Sequence, residues 1–229
     1  MSNLSIFDIA GPIMVGPSSS HTAGACKIGQ FARALFHATP QKVTFYLHGS
    51  FGEVYKGHAT DRALLAGVLK MRTSDPRLKD SFEIAKQKGI AYEFIPRDLG
   101  KDQHPNTVKI VLENSKSRME VMGRSIGGGM IEIFKVDNFK VNIKGTAGRY
   151  LSLVICHKKD PNLLLKIQER VNLFQGIMVA AIEKCDFGEK SLTILSLEGR
   201  RIKLPEVMEL EKSIPEIEYI RSLSKLEKQ

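Results

Sequence analysis

Between Gly16 and Gly24 the chain reads Gly-Pro-Ser-Ser-Ser-His-Thr-Ala-Gly, an unbroken run of five hydrogen-bonding side chains from Ser18 to Thr22. An imidazole can take or give a proton near neutral pH, and hydroxyls beside it can orient a carboxylate or phosphate. His21 is therefore the leading candidate for a general base, with Ser18, Ser19, Ser20 and Thr22 holding the substrate. No Gly-x-Ser-x-Gly elbow is present, so serine-nucleophile chemistry is the weaker reading. From Ala25 onward, Ile28, Gly29, Ala32, Leu35 and Phe36 recur at the spacing of one helix face. The polar run thus sits at a helix start, where a Ser or Thr cap is favoured and unpaired amides carry the positive dipole end. Donors converging there suit an anion, although an ordinary capped helix would need only one of the hydroxyls.

A second group comprises His104, Asn106 and Ser125, the last followed by Gly127, Gly128 and Gly129. Consecutive glycines can aim amides at an anion, or simply make a tight bend. With no Lys-Ser/Thr after them, they do not form a nucleotide P-loop. A third group holds His48, Tyr55, Lys56, His58, Asp61 and Arg62, with His58 and Asp61 as possible substrate contacts. The histidines lack the i, i+4 spacing of a zinc helix, so no metal site is expected on this chain. Cys26, Cys156 and Cys185 are far apart and odd in number, which reads as small buried residues rather than a disulfide framework or metal motif.

The elements that must position these groups follow from pattern. Lys42–Leu47 reads as a strand, Gly49–Gly52 as a flexible loop, and Thr60 or Asp61 as the cap of a helix reaching Met71. A third helix is expected from about Asp80 to Lys88, and a strand over Ile90–Ile95. Thr107–Leu112 and Arg118–Gly123 form a predicted hairpin, and Met130–Val136 another strand. The first domain, residues 1–136, is accordingly α+β or mixed α/β. Over 140–229 the pattern restarts: strand Leu151–Cys156, helix Asn162–Phe174, strands Ile177–Lys184 and Ser191–Leu197, helix Pro205–Lys212, strand Ile217–Leu223. That βαββαβ order is the ferredoxin-like split βαβ unit.

With 229 residues and 42% hydrophobic content, the chain can bury one large core or two modest ones. A formal charge of +9 invites a nucleic-acid partner. Basic and acidic residues are mixed throughout, however, and no Lys/Arg tract is interleaved with aromatics; the charge reads as solvated surface. No apolar run approaches the roughly 20 residues of a membrane span. Met1–Ala10 lacks the basic and apolar regions of a secretory signal, so neither nucleic acid nor membrane is an expected partner and the expected location is cytoplasmic.

Gly16–Thr22, His48-Gly49-Ser50-Phe51, Tyr55–Leu64, His104-Pro105-Asn106-Thr107 and Ser125–Gly129 together resemble the iron–sulfur L-serine dehydratases, which convert L-serine to pyruvate and ammonia. The resemblance covers the whole chain and is to the β subunit of the two-subunit form. It implies an amino-acid-binding fold in the first domain, a serine dehydratase α subunit and L-serine as partners, and a 4Fe–4S cluster held by that α subunit. The cluster iron would be the Lewis acid for the departing hydroxyl, and His21 the base for the Cα proton. His104, Asn106, Ser125, Gly127 and Gly128 would lie near a serine site, catalytic or allosteric. The second domain resembles the ACT domain, a module that often binds amino acids, and self-association through it is expected. That family commonly has glycine after the proline of Lys159-Asp160-Pro161; this chain has Asn162, so a structural or dimerising role stands beside ligand binding. The alternative is a stand-alone amino-acid-sensing regulatory protein, although a pure sensor has no need of a base.

Overall fold

The computed structural model describes residues 14–145 and 152–223. The expectation drawn from Met1–Ala10 and the predicted strand start at Leu151 lie outside the described residues. The architecture is mixed α+β with two sheets. A single turn of π-helix, Ser19–Gly24, runs directly into α1 (Ala25–Phe36), so the hydroxyl run is the first turn of the helix itself. Then come β1 (Lys42–Leu47), α2 (Ser50–Glu53) and α3 (Thr60–Val68). A short 3-10 turn, Pro76–Asp80, leads to α4 (Ser81–Gln87). The first unit continues with β2 (Ala91–Pro96), β3 (Thr107–Glu113), β4 (Arg118–Gly127), β5 (Met130–Val136) and β6 (Phe139–Gly145).

The sheet order is β2-β1-β3-β4-β5-β6, with β1 parallel to β2 and antiparallel to β3. Alternate residues Val43, Phe45 and Leu47, Val108, Ile110 and Leu112, are fully buried, and α1 packs along β3 and β4. Thr44, Thr107 and Val111 on the other face are buried as well, as expected of strands inside the sheet.

Several expectations are corrected. The flexible loop at Gly49–Gly52 is largely the short helix α2. Neither Thr60 nor Asp61 caps α3: the helix begins at Thr60 after Ala59 in the left-handed region (φ 55°), without a side-chain cap. The strand predicted to stop at Gly123 runs on to Gly127, and β6 was not foreseen.

The second unit contains β7 (Ser152–Lys158), α5 (Pro161–Asn172), β8 (Ile177–Phe187), β9 (Lys190–Gly199), α6 (Leu204–Ser213) and β10 (Ile217–Ser222). Its order β10-β7-β9-β8, with β7 antiparallel to both neighbours, is the split βαβ topology. Leu153, Ile155, Ile167, Val171, Leu195 and Leu210 are among its core. Asp160 caps α5, its Oδ1 accepting from the Asn162 amide at 2.8 Å. The division between the compact units falls at Asp137: Asn138 and the start of β6, to Val141, group with the second unit, and the described residues from Asn142 with the first. Among the described residues no helix is long and apolar enough to cross a membrane.

Helices α1 and α3 approach unusually closely because each presents a glycine. A Cβ on Gly67 would collide with the Cys26 carbonyl oxygen and lie 2.7 Å from the Gln30 amide nitrogen. One on Gly29 would collide with the Leu64 carbonyl oxygen. Both obstacles are backbone, which cannot rotate aside. Gly67→Ala gains about 1 kcal/mol in helix propensity, but overpacking costs up to about 3, so a net loss of roughly 1–2 kcal/mol is expected. Urea denaturation of the full chain checks this; an unchanged or raised midpoint would show that the helices separate freely.

Candidate active site

His21 is the third residue of the π-turn. Ser18 stands before the turn with extended backbone, and its Oγ accepts from the His21 amide at 3.1 Å. The Ser18 carbonyl accepts from the Thr22 amide at 2.9 Å. Two of the amides that could have cradled an anion are thus bonded within the turn. Ser19 and Ser20, half-buried, complete it.

The His21 ring is fixed from several sides. Its Nε2 lies 3.0 Å from Ser50 Oγ, at the start of α2, and its Nδ1 lies 3.5 Å from Ser18 Oγ. The ring meets Phe51 edge-on at 5.4 Å between centroids and the ring of His58 at 4.9 Å. His58 is held close because the buried Thr22 donates through Oγ1 to its carbonyl at 3.3 Å. Burial pulls the His21 pKa below its ordinary value, the neighbouring His58 adds to this, and a backbone hydrogen bond with Ser50 opposes it. The neutral, proton-accepting form is therefore favoured near neutrality.

A second cluster abuts the same turn. Gly49 adopts φ 53° and ψ −129°, and a Cβ there would lie 2.8 Å from the Pro105 Cα. The Phe51 amide donates to the Pro105 carbonyl at 3.2 Å, and the His48 amide to the Thr107 carbonyl at 3.0 Å. His104 Nδ1 accepts from the Asn106 amide at 3.1 Å, and the Ser125 amide donates to the Asn106 carbonyl at 3.0 Å. The buried Ser125 side chain fills the space over Gly24, where a Cβ would strike its Oγ. That oxygen has no hydrogen-bond partner among the described residues, nor do the hydroxyls of Thr60 and Thr107. Burial, and secondarily Arg124, lowers the His104 pKa.

The structure thus gathers Ser18, His21, Thr22 and His58, and sets His104, Asn106 and Ser125 beside them. Other candidates face elsewhere. Asp61 turns to its own helix, its Oδ1 accepting from the Arg62 amide at 2.7 Å, and burial raises its pKa despite that bond and the nearby Arg62 and Lys56. His48 Nδ1 accepts from the Leu99 amide at 3.1 Å. Gly127 pairs with Met130, leaving Gly128 and Gly129 (φ 59° and 74°) as the two-residue turn of the β4–β5 hairpin. Lys27 Nζ donates to the Gly129 carbonyl at 2.8 Å and ties that turn to α1. Ser50 and Phe51 enter the sequence reading within the His48-Gly49-Ser50-Phe51 motif that carries the family resemblance, not as site residues; the structure adds them to the site.

Cys26 does not suit a cluster ligand. Its buried thiol donates to the Met71 carbonyl at 3.6 Å, and burial pushes its pKa up to about 12, whereas a ligand must be a thiolate. Cys156 and Cys185 belong to the second unit. Among the described residues no group of three or more His, Cys, Asp and Glu side chains is placed to hold a metal.

The chain carrying this site has named relatives. Residues 5–135, more than half of the chain, match the family model of the serine dehydratase beta chain, and the protein belongs to that family. It is 48% identical over 146 residues to the L-serine dehydratase beta chain of Peptoniphilus asaccharolyticus, covering 63% of this chain and 66% of that one. It is also 48% identical over 141 residues to the probable L-serine dehydratase beta chain of Bacillus subtilis, covering 62% and 64%. The L-serine dehydratase of Helicobacter pylori strain J99 is 34% identical over 209 residues, covering 79% of this chain but 45% of that protein. The chain therefore spans just under two thirds of the beta chains it matches.

The two imidazoles lie close, tilted by 43°. Protonated His58 repels a proton on His21, so His58→Gln should raise the His21 pKa toward its ordinary value. Histidine titration by NMR on the full chain reads this directly; no change would show that the two rings do not communicate, and a fall that His58 instead stabilises the His21 imidazolium.

Proposed function

We propose that this chain is the β subunit of an iron–sulfur L-serine dehydratase, supplying proton-transfer and substrate-holding groups to a site shared with an α subunit. The observation that carries the reading is the His21 ring, favoured neutral, set between Ser50 and His58 within the region that matches the family. Loss of water from L-serine requires removal of the Cα proton and departure of the Cβ hydroxyl. His21 takes the proton, and the bond electrons form the Cα–Cβ double bond as hydroxide leaves. The resulting enamine tautomerises to an imine, and hydrolysis yields pyruvate and ammonia. Ser18, Ser19 and Ser20 orient the substrate carboxylate with their hydroxyls, and the buried Thr22 serves the site by holding the His58 carbonyl. The 4Fe–4S cluster belongs, in this reading, to the α subunit, since the cysteines here do not fit it.

His104, Asn106 and Ser125, with Gly127 and Gly128 on the adjoining hairpin, form an amino-acid contact region, catalytic or allosteric. The second domain, residues 140–229, is an ACT-like module for self-association or regulation, separable from 1–136, and the assembly is cytoplasmic. The similarity to named beta chains supports this reading over a stand-alone amino-acid sensor.

Steady-state kinetics on the reconstituted pair, with cluster content measured in each variant, provides the test. His21→Ala should lower kcat roughly 10²- to 10⁴-fold, the scale of general-base catalysis, with a much smaller change in KM. Ser19→Ala should do the reverse, raising KM more than it lowers kcat. Unchanged turnover in His21→Ala at full cluster content would end the case for this base.

A further inference from the structure

Ser18 and Ser50 approach opposite nitrogens of the same ring on unequal terms. Ser18 Oγ already accepts the His21 backbone amide at 3.1 Å, so its own proton remains to be directed elsewhere, and Nδ1 lies 3.5 Å away. That separation is at the outer limit of a hydrogen bond and leaves Nδ1 only weakly engaged. Ser50 Oγ lies 3.0 Å from Nε2, a normal hydrogen-bond distance. The remaining neighbours are the Ser50 backbone, which also hydrogen-bonds the imidazole, the ring edge of Phe51 and the imidazole of His58, the titratable group facing His21. None supplies a carboxylate that would hold a proton on Nδ1.

The position of Ser50 is itself enforced. Gly49 before it has a backbone conformation that an L side chain rarely adopts, and there is no room for a Cβ against Pro105. The Phe51 amide after it is tied to the Pro105 carbonyl. Ser50 is thus delivered to the ring by a clamp formed from two separate segments.

Resting on the reading of His21 as the base, we propose that Ser50 is a positioning residue: its Oγ accepts Nε2–H and holds the neutral imidazole in the tautomer whose free lone pair is on Nδ1. Nδ1, on the Ser18 side, is then the atom that takes the substrate proton, and Ser18 yields its weak contact when substrate arrives. Fixing a histidine's reactive nitrogen through a hydrogen bond at the other nitrogen is a general device.

Long-range proton–nitrogen correlation spectra of the ¹⁵N-histidine-labelled full chain test the assignment without any catalytic assay. Above its pKa, wild-type His21 should carry its proton on Nε2. Ser50→Ala should give a mixture of tautomers, and Ser50→Thr, which retains a hydroxyl, should restore the single form. In the reconstituted enzyme Ser50→Ala should lower kcat roughly 10- to 100-fold, the scale on which such outer hydrogen-bond partners act, with KM little changed. Its acidic limb should move to lower pH, because the imidazolium loses the Ser50 hydroxyl as an acceptor and keeps only the Ser50 backbone bond, and Ser50→Thr should recover both. A proton on Nδ1 in the wild-type chain overturns the proposal, as does a Ser50→Ala variant with unaltered tautomer and pH profile. The two readings fail separately: intact turnover in His21→Ala removes the lyase base, while the spectra still decide which nitrogen Ser50 engages.

Discussion

The close contact of α1 with α3 is the constraint on which the candidate site depends. Gly29 and Gly67 let the two backbones meet where any side chain would strike main-chain atoms. With the helices locked, the segment entering α3 lies against the turn entering α1, close enough for the Thr22 hydroxyl to reach the His58 carbonyl. The His21 and His58 rings, one at the entry of each helix, lie 4.9 Å apart. Gly29 and Gly67 weaken each helix taken alone, yet only a residue without a Cβ fits this contact.

Polar costs gather around the same turn. The hydroxyls of Thr60, Thr107 and Ser125 are buried without partners among the described residues, and each such group typically costs about 1–3 kcal/mol. Thr60 opens α3 two residues after His58, Thr107 receives the His48 amide at its carbonyl, and Ser125 fills the space over Gly24. Local rules are broken where chemistry-bearing groups converge, the pattern expected when a site rather than stability dictates residue choice.

Much of the fold was legible because it rests on periodicity. The alternation in Lys42–Leu47 and Thr107–Leu112, the apolar face from Ile28 to Phe36, and the βαββαβ order after residue 151 each report local burial. The misses have local causes of their own. Gly49–Gly52 carries loop composition, yet a helical turn forms because its amides reach the Gly49 and Pro105 carbonyls. Thr60 and Asp61 have the chemistry of caps, but left-handed Ala59 precedes the helix and Asp61 bonds the next amide instead. Strand β6 lies where the pattern suggested a boundary, a sheet addition that short-range spacing does not record.

The site was legible only in part for the same reason. Ser18–Thr22 advertises itself because its polar side chains are consecutive, and its cap geometry is set within three residues. Ser50 lies 29 residues from His21, yet its hydroxyl meets the imidazole at ordinary hydrogen-bond distance. That contact needs Gly49 to turn through a conformation reserved for glycine, and Pro105, from a third segment, to close the space where a Cβ would stand. Both motifs that hold these residues, His48–Phe51 and His104–Thr107, carry the family resemblance, but residue types and spacing give neither Ser50 nor Pro105 a role: they read as a serine after a strand and a proline between two polar residues. Their chemistry exists only once β1, β3 and the start of α1 share one end of the fold, because what they determine is the orientation of a ring that belongs to none of their segments.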